Sequence, residues 1–376
     1  MAINWMIFRQ IDPTSPDYFL YGRSFEALQF MSDLEKSFDS PQYGLPHRHG
    51  CHRGQDSHNR SPVYDDNDPV LQENHQELPI PSSHHPHDEM HKTVNSANYN
   101  TVSKTKTLTF LPTKLFNLDI FVGGGFSKGA GQVEIRQSTE PTQELAIVNV
   151  TILSTSEDLL DSIDIADTED WSTFYTAIRS TYRKKQQHDC SRKRDFLSYK
   201  IDIVFPPNLD YFDTLKLQLR QANSIQVKEL ETVFQTFSIG VARGDIALDR
   251  LVAYNIHLGA LHGNITGNYT PRTSFIAVAA RGSTDITLLP HGYVIDAIAI
   301  AVQGSSSVFL PVDGFRGLFD VGQATTGRER LVYVLEQSDI DFYEVGKKRV
   351  TGSFKDDTRS NVIVRSQDGQ ATLSFI

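Results

Sequence analysis

Three short blocks carry the residues best placed to do chemistry: Arg243-Gly244-Asp245, His262-Gly263-Asn264 and Arg281-Gly282-Ser283. Their glycines are evenly spaced, with 263 − 244 = 19 and 282 − 263 = 19. In a stack of equivalent units that period puts Arg243, His262 and Arg281 in one column, at steps of ~4.7–4.9 Å. A basic column of this kind would contact sulfates, uronates or phosphates, since charged donors bond anionic oxygens strongly. Arg243-Gly244-Asp245 is also the cell-attachment tripeptide. The repeat already accounts for its glycine, however, and His262-Gly263-Asn264 holds the equivalent place.

Other chemistries are less well provided for. Glycoside hydrolysis needs two carboxylates about 5 to 9.5 Å apart across one sugar bond. Asp245, Asp249 and Asp285 are the candidates on these repeats, so a carbohydrate-active hydrolase or lyase on a β-helix is the alternative to a non-enzymatic role. No Gly-x-Ser-x-Gly elbow accompanies His257, His262 or His291. Gly124 and Gly129 have the phosphate-loop spacing, but Ala130 and Gly131 stand where Lys and Ser/Thr are required. That glycine-rich run reads as a hairpin turn. Nine histidines between His47 and His91 include His47-x-His49 and His85-x-His87, which could grip Zn²⁺ or Cu²⁺ loosely. A structural zinc site wants four ligands on a folded frame. The tract therefore reads as a solvated, pH-sensitive linker. No catalytic set, metal site or cofactor is assigned.

The elements that must position the basic column are short strands. Apolar pairs sit seven and five residues before each glycine: Phe237 and Ile239, Ile256 and Leu258, Phe275 and Ala277. A spacing of two puts each pair on one face of a strand. Ile246 and Ile265 follow the first two glycines, and Ile286 follows the third after two extra residues. A further block (Ile298, Ile300, Gly304, Val308) has its pair shifted by one, and Val362, Val364 and Gly369 restore the pattern. Each unit reads as a coil of two strands joined by a glycine turn. The period of 19 favours a solenoid over a meandering sandwich.

Before the repeat, strand-like runs fall at Leu108–Phe110, Leu118–Val122, Gln132–Ile135, Leu145–Leu153, Ser198–Phe205 and Leu215–Leu219. They predict a sandwich-like layer. The acidic stretch Asp158–Asp170 and the basic stretch Arg183–Arg194 read as solvated loops around a short helix at Trp171–Tyr182. From 41 to 105 the chain is rich in Pro, Asp, Asn, Ser and His, which predicts a disordered linker. Residues 1–40 carry one amphipathic helix, with Phe25, Leu28, Met31 and Leu34 at i+3 and Phe30, Leu34 and Phe38 at i+4. Docking on the main domain is the expected use of its apolar face. The reading is all-β: segments 1–40 and 41–105, a strand-rich layer over 106–236, and a β-helix-like repeat over 237–376.

A formal charge of −10 and a pI near 5.7 argue against a nucleic-acid or anionic-membrane partner held by the whole surface. Cys51 and Cys190 imply no disulfide framework. Met1–Gln10 lacks the basic and apolar regions of a signal peptide. The longest apolar run, Tyr293–Val302, carries Asp296 and is too short to span a bilayer. The chain reads as soluble.

The blocks Gly244-Asp245-Ile246-Ala247-Leu248 and Gly263-Asn264-Ile265-Thr266-Gly267, preceded by a strand-rich half, resemble the adhesin-like family of β-repeat proteins, a domain of unknown function. The resemblance covers Phe237–Ile376 well and Lys106–Gln235 loosely. It implies a right-handed, single-stranded β-helix-like repeat, attached to a surface, adhesive and without enzymatic activity. An anionic polysaccharide or a surface protein is the partner expected. Without a signal or spanning segment, either the protein is intracellular or an N-terminal part lies outside this chain.

Overall fold

The computed structural model describes residues 29–36, 101–127, 131–181, 196–291, 294–325, 331–334, 339–355 and 358–376. All belong to the unit formed by Met1–Leu45 and Tyr99–Ile376. The His-rich tract, both cysteines and Arg183–Arg194 lie outside the described residues.

A helix, α1 (29–36), precedes β1 (Val102–Phe110), β2 (Asn117–Gly123), β3 (Gln132–Gln137) and β4 (Ala146–Ser154). A short helix, α2 (Glu157–Asp161), leads into β5 (Ile163–Asp170), β6 (Thr173–Ser180), β7 (Leu197–Phe205), β8 (Tyr211–Leu219) and β9 (Ser224–Lys228). The repeat region holds β10 (Val233–Val241), β11 (Ile246–Ala260), β12 (Ile265–Arg281), β13 (Thr284–Leu288), β14 (Asp296–Gln303) and β15 (Ser306–Leu310). The order ends with β16 (Gly317–Gln323), β17 (Val332–Val334), β18 (Ile340–Val345), β19 (Arg349–Phe354), β20 (Asn361–Ser366) and β21 (Ala371–Phe375). The fold is all-β.

Strands β6-β2-β8-β10-β11-β12-β14-β20-β16 pair in that order, and every neighbouring pair is parallel. Antiparallel strands close both ends of this ladder, β5 on β6 and then β19 and β18 beyond β16. A second parallel ladder begins with the first halves of β11 and β12 and continues through β13, β15, β21 and β17. A separate sheet has the order β1-β4-β7-β3-β9.

The period of 19 is the register between β10, β11 and β12. Phe237 lies opposite Ile256, which lies opposite Phe275; Ile239, Leu258 and Ala277 align likewise. All six are fully buried in one core. Parallel strands buried on both faces read as near-continuous apolar runs, and β14 is such a strand. Its core-facing residues are Ala297 and Ala299, opposite Phe275 and Ala277, while Ile298 and Ile300 face outward. The apparent shift of the fourth block is therefore corrected: the β12–β14 register is constant, and the isoleucines belong to the other face. Thr284, not Ile286, aligns with Ile246 and Ile265, whereas Ile286 lies opposite Gly267. The buried Thr284 hydroxyl bonds that of Ser306 at 2.7 Å, which satisfies two polar groups inside the core.

Three other expectations are corrected. Residues 173–180 form strand β6, not a helix, and pair with β5 through a hairpin that leaves Trp171 at its tip, almost fully exposed. The acidic stretch is thus largely an edge strand, and its charges discourage further pairing. The glycines after β2 do not close a hairpin, because β2 and β3 lie in different sheets. Position 236 falls inside β10, and β8 and β10 share one ladder.

Helix α1 packs on the outward face of the long ladder. Met31 and Leu34 are buried against Ile276, Val278, Ile298, Ile300 and Ile363, with Phe30 alongside. Its outer positions Gln29, Asp33 and Lys36 are exposed.

Candidate functional site

The parallel strands turn a corner at a glycine, and neighbouring corners touch. The N–H of Gly244 donates to the carbonyl of His262, that of Gly263 to Arg281 and that of Gly282 to Gln303, each at 2.9 Å. The glycines stack so closely that a Cβ on Gly263, Gly282, Gly304 or Gly369 would overlap the carbonyl oxygen of the glycine before it in the stack. This bonding brings Arg243, His262 and Arg281 to neighbouring corners, all three exposed. Gln303 continues the line opposite Arg281. The His262 imidazole is held below the ordinary histidine range, first by partial desolvation and then by the Arg281 and Arg243 charges on either side.

The residues after the glycines have a structural task. Asp245 Oδ1 accepts the Asn264 N–H at 2.7 Å, Asn264 Oδ1 accepts the Ser283 N–H at 2.9 Å, and Ser283 Oγ accepts the Ser305 N–H at 3.1 Å. Each polar side chain thereby bonds a backbone donor at the neighbouring corner. The Asp245 carboxylate is thus engaged in the stack, as the tripeptide reading did not foresee.

Two of the three aspartates proposed for sugar hydrolysis, Asp245 and Asp249, are hydrogen-bonded to the neighbouring strand. Asp249 accepts from the Asn268 amide at 2.7 Å. Asp285 lies opposite Thr266, which lies opposite Ala247, so it is two strands and two residues removed from Asp245. Strand spacings of ~4.8 Å and a rise of ~3.3 Å per residue put their Cα atoms about 12 Å apart. Among the described residues no cluster of three His, Cys, Asp or Glu side chains could hold a metal ion, and no helix is long and apolar enough to cross a membrane.

What the sequence reading missed is the floor beneath α1. Gly240 and Gly259 lie opposite each other near the ends of β10 and β11, facing Leu34 and Phe30. The signal was available, since 259 − 240 = 19 repeats the period four residues ahead of the corner glycines.

No family model matches the chain, and no curated protein matches it. Several solved structures are similar. A candidate cell adhesion protein from Clostridium sporogenes is 10% identical with a TM-score of 0.30, over 73% of this chain and 99% of that one. A candidate adhesin from Bacteroides fragilis is 15% identical with a TM-score of 0.33, over 73% and 97%. A candidate lipid binding protein from Parabacteroides distasonis is 14% identical with a TM-score of 0.31, over 73% and 96%. Likeness at this level carries no argument about function.

Proposed function

We propose that the chain is a non-enzymatic scaffold with an adhesin-like, surface-interaction role, its stacked coils forming a β-helix-like solenoid that binds an anionic polysaccharide along Arg243, His262 and Arg281. One observation carries this reading: the glycine-corner hydrogen bonds stack three exposed basic residues one coil apart, and the His262 imidazole feels both guanidiniums. A linear polyanion with a charge on each sugar can engage several such groups at once. The parallel registers at offsets of 19 support the solenoid.

Binding to heparin and to polygalacturonate, compared between the wild-type protein and the Arg243→Ala/Arg281→Ala variant, tests the assignment. Loss of two charge-assisted hydrogen bonds should weaken binding about 100-fold. Equal affinity of the two proteins for both polymers would overturn it.

A further inference from the structure

Away from the glycine corners, four neighbouring strands of the long ladder each bring one planar, hydrogen-bonding side chain to the surface. Tyr211 opens β8, Gln235 follows on β10, Tyr254 on β11 and Arg272 on β12. Gln235 is exposed, Tyr211 is 46% exposed, and Tyr254 and Arg272 are half-buried. These side chains hold one another in place. The Tyr211 hydroxyl donates to Gln235 Oε1 at 3.3 Å. Arg272 Nη1 donates to the Tyr254 hydroxyl at 3.3 Å, with the guanidinium 5.1 Å from the centre of the Tyr254 ring. One residue further along, Ser274 Oγ donates to Asn255 Oδ1 at 2.8 Å, and Asn255 Nδ2 donates to the Gln235 carbonyl at 3.1 Å.

The backbone is shaped for the contact between Tyr254 and Arg272. Between the pairs Ala253–Pro271 and Asn255–Ser274, β12 has two residues where β11 has one. Such a bulge re-aims a side chain, and bulges concentrate beside functional sites. Here it sets Arg272 against an aromatic ring: among the described residues Arg272 makes no ion pair, and its Nε is buried without a hydrogen-bond partner. A buried donor left unpaired calls for an explanation. A guanidinium held by a ring face, and not by a carboxylate, keeps N–H groups for a ligand.

The chemistry of the strip selects that ligand. Tyrosine offers an apolar face with a polar tip, which suits the C–H-lined face and hydroxyl rim of a sugar ring. Partial desolvation, and then Asp213 and Tyr254, hold the Tyr211 phenol above its ordinary range, so a carboxylate lies close to this end of the strip. Asp213 at one end and Arg272 at the other suit neither a polyanion nor a polycation. Three strand steps of ~4.8 Å make a track about 14 Å long and one side chain wide. That is far short of the ~20 residues a side of a stable protein interface, and it matches a single extended chain. We infer that Tyr211, Gln235, Tyr254 and Arg272 form a binding track for a neutral linear glycan, with sugar rings on the tyrosines and hydroxyls bonded by Gln235 and Arg272. The inference is independent of the polyanion reading, whose residues stand at the glycine corners.

Cellohexaose, xylohexaose and mannohexaose, titrated calorimetrically into the full-length protein, are the probes. At least one should bind, and Tyr211→Ala, a change at an exposed ring, should weaken it about tenfold. Arg272→Lys keeps the charge, loses the planar stack on Tyr254 and should weaken it likewise. Arg243→Ala/Arg281→Ala should leave the hexamers' affinity unchanged, and Tyr211→Ala should leave heparin binding unchanged, so the two readings fail separately. As a second measurement, saturating sugar should protect Tyr211 from nitration by tetranitromethane. Absence of binding by all three hexamers would overturn the inference. So would undiminished affinity in folded Tyr211→Ala, nitration of Tyr211 that bound sugar does not slow, or heparin binding that Tyr211→Ala abolishes.

Discussion

At Gly282 two constraints meet. Its φ of 144° lies where side chains are strained, and a Cβ there would overlap backbone atoms of Gly263, which cannot swing aside as a side chain can. Gly282→Ala should lower stability by about 2–3 kcal/mol, seen as a lower urea midpoint, and an unchanged midpoint would contradict the close stacking. This requirement was legible in the sequence because a backbone constraint of this kind admits one residue type and recurs with every coil. The role of Asp245 was harder to see, since its acceptor oxygen acquires meaning only from the Asn264 N–H on the next coil. That Asp245, Asn264 and Ser283 can all accept hydrogen bonds was the one hint in the sequence.

Among the elements, strands buried on one face were readable from alternation, as with the predicted runs inside β4 and β7. Where both faces are covered, alternation vanishes, so β14 misled the reading of register while remaining recognisable as a strand. Strand β6 was misread because Trp171–Tyr182 carries no glycine or proline to mark the hairpin, and its pairing with β2 depends on residues far away in sequence. Three elements are also joined by a group no motif suggested. Asp320 on β16 is buried and accepts hydrogen bonds from Arg349 on β19, at 3.0 Å to each carboxylate oxygen, and from Arg365 on β20. Burial pushes the Asp320 carboxyl up, but the Arg365 and Arg349 charges and hydrogen bonds outweigh it and hold the group below 3.8. The stability this ionised carboxylate contributes is therefore present above that value and lost as pH falls through the folded pKa. Asp320→Asn, which removes the buried charge that the Arg349 and Arg365 guanidiniums share, should cost about 3–5 kcal/mol at neutral pH. Acid titration of stability should then be less steep below pH 4 in the variant than in the wild type, and superimposable curves would sink the assignment.

For the molecule as a whole, a charge of −10 opposes any polyanion except where basic groups are concentrated. Two effects then favour binding as pH falls. Net negative charge shrinks towards the pI near 5.7, and His262, whose proton affinity is depressed in the free protein, gains a proton when an anion neutralises its neighbours. Heparin affinity should rise between pH 7.5 and 5.5, and His262→Gln should retain the general part of that rise and lose the part due to proton uptake. Identical pH slopes for the two proteins would exclude His262 from the contact.

The steps of the long ladder are not equal in sequence. Phe237 and Ile256 are 19 residues apart, Phe275 and Ala297 are 22, Ala297 and Val362 are 65, and Leu118 and Leu215 are 97, yet each pair is a neighbouring rung. What lies between two rungs needs only to leave one and return to the next, ~4.8 Å away. Loop-closure entropy grows slowly with length, so the cost of a long excursion is small. The strands β3, β4 and β7 of the separate sheet all lie within one such interval. Architecture and decoration are thereby uncoupled: whole modules can be gained, lost or exchanged between rungs, changing what the molecule displays while the spine that carries them stays the same.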